Sequence, residues 1–303
     1  MWKRLVNLCF AILLVACAGT HIEREEAYFK DSACGEKHFL WKAEKDGRII
    51  WLLGSIHLAD SSFYPLPSII DSAFEASTVL AAELDMNKEE TKEDAQTLFV
   101  KKGMLPTGTR LDSVLPQGLF SAVDSVARTF GIPMQALERF RPWMVALSLS
   151  AAAMERAGLS GNFGIDLEML AWAEDRQKKI YPIETPQEQV DVFAGDGDSL
   201  GVEYLKRTLD EIAVVDTLIP AIANAWKCGE VLKLRDLLDE GSSEDIYEQK
   251  IYTDRNEKMA RSVDSLSVAG ETVFAVVGAA HLVKRNDNVL RRLENLGYRI
   301  SRE

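Results

Sequence analysis

Arg48-Ile49-Ile50-Trp51-Leu52-Leu53-Gly54-Ser55-Ile56-His57-Leu58 is an apolar, β-favouring run closed by a glycine, with a histidine three positions on. Near the other end of the chain, Thr272-Val273-Phe274-Ala275-Val276-Val277-Gly278-Ala279-Ala280-His281-Leu282 repeats the design. The two copies hold two of the chain's four histidines. Histidine is the commonest metal ligand and the usual acid or base near neutral pH. A pair placed alike after two strands therefore points to one site built from both ends of the sequence.

Outward from the first run, Lys45-Asp46-Gly47 separates residues 38–44 from residues 48–53, and Asp-Gly between two β-type runs predicts a hairpin. Pro67-Ser68-Ile69-Ile70-Asp71-Ser72-Ala73-Phe74 predicts a helix with proline in its first turn, and Thr78-Val79-Leu80-Ala81-Ala82-Glu83 a buried strand. Strand, helix, strand suggests parallel strands joined by a crossover helix. From residue 88 the pattern is mostly helical, and Arg141-Pro142-Trp143 opens a helix over residues 144–154 that is apolar all round and so buried. Residues 179–183 read as another short strand, Thr185-Pro186 as a helix start, and Tyr298-Arg299-Ile300 as a last strand. The fold class is α/β: a mixed sheet built from N- and C-terminal segments, with flanking helices and a large helical insertion over about residues 88–266.

Residues 1–16 stand apart. Lys3 and Arg4 precede an apolar stretch over residues 5–15, too short to span a bilayer but suited to a secretory signal. Leu14-Val15-Ala16-Cys17 resembles the lipobox of bacterial lipoproteins, which implies lipidation of Cys17 and a mature chain starting there. Ala18 follows rather than aspartate, so in an enterobacterial-type sorting system the expected address is the outer membrane, facing the periplasm of a bacterial cell envelope. An ordinary signal peptide cut near Ala18, or an uncleaved anchor, is the alternative. Residues 17–36, charged and aperiodic, read as a tether for a domain over residues 37–303. The net charge is −12, and processing would remove two cations and no acid. So acidic a chain is not a general nucleic-acid binder, and membrane contact would come through the lipid at Cys17. Cys34 and Cys228 remain in an oxidising compartment, either paired as a disulfide or as two separate thiols.

In an open α/β sheet, ligands bind beyond the carboxyl ends of the strands. Gly54 and Gly278 fall there, where a missing Cβ lets backbone and substrate approach closely. His57, His281 and Glu83, at the end of the strand before it, would then face one crevice. Two imidazoles and a carboxylate suit a divalent ion such as manganese, cobalt or zinc, which would activate water. Without metal, one histidine would serve as base on water, Glu83 would orient it, and the other histidine would protonate the leaving group. The structural alternative makes both histidines strand-end residues and Glu83 a helix cap.

Trp51-Leu52-Leu53-Gly54-Ser55-Ile56-His57, Phe63-Tyr64-Pro65-Leu66-Pro67, Ala82-Glu83-Leu84-Asp85, Arg141-Pro142-Trp143, Gly164-Ile165-Asp166, Ile183-Glu184-Thr185 with Gln189, Ala225-Trp226 with Gly229, Arg255-Asn256 and Val277-Gly278-Ala279-Ala280-His281-Leu282 occur in one order along the chain. In these the chain resembles the TraB/GumN family, also called the Tiki-like group, which is similar to erythromycin-esterase-like and ChaN-like folds. The resemblance implies an active site of His57, Glu83, Arg255 and His281, and an activity like that of divalent-metal-dependent proteases. The chain departs from the family after His281: Lys284-Arg285 stands where a glycine and an acid are common, either drawing in an anionic substrate or forming a solvated surface.

Arg255 would hold a substrate carboxylate or an oxyanion, unless it pairs with a neighbour such as Glu248 or Glu257. Tyr64 would wall the pocket and offer its hydroxyl. Asp166 reads as a helix cap, Glu184 as a group standing behind the site, and Asp196-Gly197-Asp198 as a turn rather than a calcium loop. Three readings follow: a membrane-tethered, metal-dependent hydrolase of the peptidase type acting on a peptide or small carbonyl substrate; a metal-free esterase; and a non-catalytic lipoprotein binding a haem-type ligand.

Overall fold

Asp46 and Gly47 both adopt positive φ, 50° and 77°, as a two-residue hairpin turn requires, and they join β1 (Leu40–Lys45) to β2 (Arg48–Ser55) in antiparallel register with Lys45 opposite Arg48. These contacts come from a computed structural model that describes residue 34 and residues 37–195, 197–239 and 248–303. The expected signal segment, Cys17 and the expected tether apart from Cys34 lie outside the described residues, as does Asp196. Among the described residues no helix is long and apolar enough to cross a membrane.

Four more strands complete a mixed sheet: β3 (Val79–Ala82), β4 (Lys179–Pro182), β5 (Val273–Gly278) and β6 (Arg299–Arg302), in the order β4-β3-β5-β2-β1-β6. β4, β3, β5 and β2 are parallel neighbours; β1 runs antiparallel to β2 and to β6. Val273-Phe274-Ala275-Val276-Val277 is buried throughout, the continuous apolar run that a strand covered on both faces demands. The helix Ser68–Glu75 connects β2 to β3, but β5 occupies the place between them. Phe74 of that helix meets Phe274 edge-on at 5.2 Å and Trp172 of the helix Ile165–Asp175 at 5.7 Å, which fixes both helices on the sheet.

The chain divides into two compact units. The sheet unit contains Asn162–Ile183 and Pro220–Glu303 besides the first strands, so β4 and the helix Asp254–Val268 belong to it. The physical reason is that β4 is an edge strand needing β3 beside it, and the helix Asp254–Val268 buries Met259, Ala260 and Val263. The helical unit comprises Lys88–Gly161 and Glu184–Ile219. Its centre is the helix Pro142–Arg156, buried nearly all round, with Trp143 packed on Phe99 and Phe193. Arg141 pairs with Asp198 at 2.9 Å, and a Cβ on Gly201 would come within 3.0 Å of the Trp143 nitrogen. Arg141-Pro142-Trp143 is thus a packing motif, and Glu184 bonds Gln189 at 3.1 Å in the same unit.

Within the sheet unit, Cys34 and Cys228 form a disulfide with Cα atoms 4.4 Å apart. It closes a loop of 194 residues, a large loss of freedom for the unfolded chain. Cys228→Ser is expected to lower stability by about 2–5 kcal/mol. Urea melts with and without reductant check this, and a wild-type melt indifferent to reductant would contradict it. Gly229 follows with φ 64°, and a Cβ there would lie 1.8 Å from the Lys37 carbonyl oxygen, so only glycine fits.

Candidate functional site

The paired motifs meet because β2 and β5 are adjacent and parallel, with Gly54 opposite Val277 and Ser55 opposite Gly278. A Cβ on Gly54 would stand 3.1 Å from the Ala279 Cα and 3.5 Å from the Leu282 side chain, so the first glycine makes room for the second motif. Ala279 donates its N–H to the Ser55 carbonyl at 2.8 Å, and the Trp226 indole donates to the Gly54 carbonyl at 2.8 Å.

Gly278 marks the centre. A Cβ placed on it would lie 3.5 Å from Glu83 Oε1, 3.6 Å from His281 Cδ2 and 3.6 Å from His57 Nε2. His57, Glu83 and His281, read from the sequence as one set, therefore surround a single point at the carboxyl ends of β2, β3 and β5. Arg255 joins them from the helix Asp254–Val268, with Nη2 2.8 Å from Glu83 Oε2. Glu248 pairs with Lys284, and Glu257 is engaged by Arg261 and Arg292. The other Glu83 oxygen accepts the Gly278 N–H at 2.7 Å.

Each imidazole is held by its far nitrogen. His57 Nδ1 lies 3.0 Å from Asp166 Oδ1, and His281 Nδ1 lies 2.7 Å from Asn256 Oδ1. The sequence reading of Asp166 as a cap is corrected: Gly164 is the N-cap of Ile165–Asp175, and Asp166 in the first turn reaches His57. The Ile165 N–H bonds the Ile56 carbonyl at 3.0 Å, which brings the two together. Tyr64, expected to offer its hydroxyl to substrate, donates it to the Phe163 carbonyl at 2.7 Å and so fastens the loop after β2 to the turn before Asp166. Lys284 is neither solvated nor presented to a ligand. It is buried, with its ammonium 3.0 Å from Glu248, 3.5 Å from Asp239 and 4.5 Å from the centre of the Tyr252 ring, which in turn packs 5.4 Å from His281. Arg285 alone is exposed, paired with Asp236 at 2.9 Å.

These surroundings drive the two histidines apart. Burial works to lower the His57 pKa, but Asp166, by charge and contact, and Glu83 outweigh it and raise the value to about 9. For His281, burial and the Arg255 charge prevail over Glu83 and lower it to about 3. Glu83, which burial alone would push up, is held well below the usual carboxylate range by Arg255, both histidines and the Gly278 amide. At neutral pH the site holds a protonated His57, a neutral His281 and an ionised Glu83.

In metal-free protein this asymmetry should give a stability maximum near pH 6.5, the ordinary histidine value. Between 6.5 and about 9 the folded chain keeps the His57 proton that the unfolded chain has lost, so stability falls as pH rises. Below 6.5 the unfolded chain binds a proton that folded His281 refuses, and protonation of Glu83 adds to the loss at lower pH. Thermal melts from about pH 4 to 10 test this: His57→Gln should erase the alkaline limb and leave the acid one. An alkaline limb untouched in that variant would refute the assignment.

Metal-ligating histidines bind through one nitrogen while the other donates to a carboxylate or carbonyl. His281 has that back-bonding to Asn256 and leaves Nε2 bare, whereas His57, with Nδ1 3.0 Å from the Asp166 carboxylate, would have to give up its proton before Nε2 could hold an ion. Glu83 is turned onto Arg255 and the Gly278 amide, and among the described residues no three His, Cys, Asp or Glu side chains stand arranged to hold one.

The pattern for the TraB/PrgY/gumN family matches residues 39–302, which takes in every strand and every site residue. The chain belongs to the TraB/PrgY/gumN family. Among its relatives in this family is the uncharacterized protein YbaP of Escherichia coli (strain K12), 23% identical over 193 residues, which cover 62% of this chain and 69% of that protein. The protein of the same name from Shigella flexneri matches to the same extent. No solved structure matches the chain.

Proposed function

We propose that this family member is a hydrolase of amide or ester bonds, acting on a peptide or small carbonyl substrate at the point ringed by His57, Glu83 and His281. The observation that carries the reading is the convergence on Gly278: two imidazoles and a carboxylate within 3.6 Å of one position, with protonation states driven apart. Groups whose environments separate their pKa values divide into donor and acceptor roles. His281 offers a neutral nitrogen to an attacking water, while Glu83 orients that water and Arg255 offsets its charge. His57 carries the proton that a departing amine or alkoxide needs. Its 39% exposed side chain gives that group a way in from solvent.

His281 is a weak base in this setting, which favours the metal-dependent form of the reaction over the metal-free esterase. In that form His57, having given up its proton, and His281 would hold a divalent ion through Nε2, and Glu83 would join them by releasing Arg255. A bound ion would lower the pKa of its water and polarise the scissile carbonyl. Anchoring at Cys17 in the bacterial envelope belongs to the same proposal, and the Cys34–Cys228 bond supports an oxidising compartment.

Metal analysis of the purified mature protein before and after chelation, with peptide and ester turnover measured in manganese, cobalt or zinc, tests the reading. Turnover that chelation removes and one of these ions restores is expected, with His57→Ala and His281→Ala inactive yet folded. Absence of turnover on both bond types with every ion would defeat the hydrolase proposal. Turnover indifferent to chelator would leave the esterase form.

A further inference from the structure

Asn256 is fully buried beside Arg255, and both ends of its amide are engaged. Its Nδ2 donates to Asp287 Oδ2 at 2.8 Å and to the Asp287 carbonyl at 3.3 Å. Asp287 offers acceptors there, its backbone carbonyl and a carboxylate that also pairs with Arg292, 2.9 Å away. The amide nitrogen, a donor only, must therefore face Asp287, and the amide oxygen, an acceptor only, must face His281. A nitrogen 2.7 Å from an acceptor carries a hydrogen. His281 Nδ1 is that nitrogen.

We propose that Asn256, directed by Asp287, is a positioning residue that locks His281 as the Nδ1–H tautomer, so that Nε2 always presents a lone pair to the crevice. His57 faces a carboxylate at the matching place, and its partner sets a charge. At His281 the partner is a neutral amide whose direction is imposed from behind, and it sets which nitrogen is bare. The two halves of the repeated motif are thereby given different chemistry by residues that neither motif contains. Tyr252 packs against the ring, with the two ring centres 5.4 Å apart. The tautomer is a property of the folded chain whether or not the hydrolase reading holds.

Long-range proton–nitrogen NMR of the nitrogen-15-labelled, chelated protein distinguishes the two ring nitrogens, and His281→Gln assigns the signals. The wild type should show a single His281 tautomer with hydrogen on Nδ1. Asp287→Asn gives Asn256 a neighbour able to donate, and should populate the Nε2–H form; Asn256→Ala should do the same, at a cost in stability that makes Asp287→Asn the safer variant. A wild-type His281 with hydrogen on Nε2, or identical His281 signals in all three proteins, overturns the proposal. If turnover is established, Asn256→Ala should lower kcat by at least about tenfold with KM little changed, since the residue acts through His281 rather than on substrate.

Discussion

Glu83→Ala is expected to destabilise the protein by about 3–5 kcal/mol and to abolish turnover. Its side chain and that of Arg255 are 10% and 14% exposed, so each charge depends on the other to offset lost hydration. Removing the carboxylate strips Arg255 of that partner and leaves the Gly278 N–H without its acceptor. Glu83→Gln keeps the shape and should lose less stability, but it removes the charge that is proposed to orient water and that helps keep the proton on His57. Pairing it with Arg255→Met should recover much of the stability and none of the activity, because two apolar or neutral groups of similar volume replace a buried ion pair at little cost. Urea denaturation and turnover on the three variants separate the contributions. A Glu83→Ala protein as stable as wild type would mean that the ion pair is solvated and the crevice open.

Gly278→Ala should have the opposite signature: an intact fold and a dead site. The added methyl would lie 3.5–3.6 Å from Glu83, His281 and His57, ordinary contact distances, and Gly278 has no left-handed backbone to protect. Stability should change by less than about 1 kcal/mol. Yet the methyl would occupy the position on which all three groups converge, so kcat/KM should fall by at least about 100-fold. Full activity in a folded Gly278→Ala protein would show that the reaction takes place elsewhere. The alanine also keeps the N–H that Glu83 accepts, which distinguishes blockage from loss of the carboxylate's anchor.

Much of this centre was legible in the chain because its parts lie next to strong local signals. The strands ending at Gly54, Glu83 and Gly278 are short apolar runs, and the histidines sit a fixed distance beyond two of them. The resemblance to the family then added Arg255. What stayed hidden were residues whose roles depend on packing between distant segments. Asp166 looked like a cap because acids in first helical turns usually are, and only the Ile165-to-Ile56 hydrogen bond turns it toward His57. Asn256 carries no pattern beyond its place after Arg255. Lys284 reads as a surface charge until Asp239 and Glu248 are seen around it. The sheet order was hidden for the same reason, since local sequence shows a strand but not its neighbours.

The position of β5 between β2 and β3 bears on when the site can exist. Glu83 and Gly278, which hydrogen-bond in the finished protein, are 195 residues apart. Until Val273–Gly278 has left the ribosome, β2 and β3 have no strand to join them, and closing so long a loop is slow. A growing chain thus carries His57 and Glu83 but no centre. The cluster of His57, Glu83 and His281 therefore comes into being in the same event that completes the sheet.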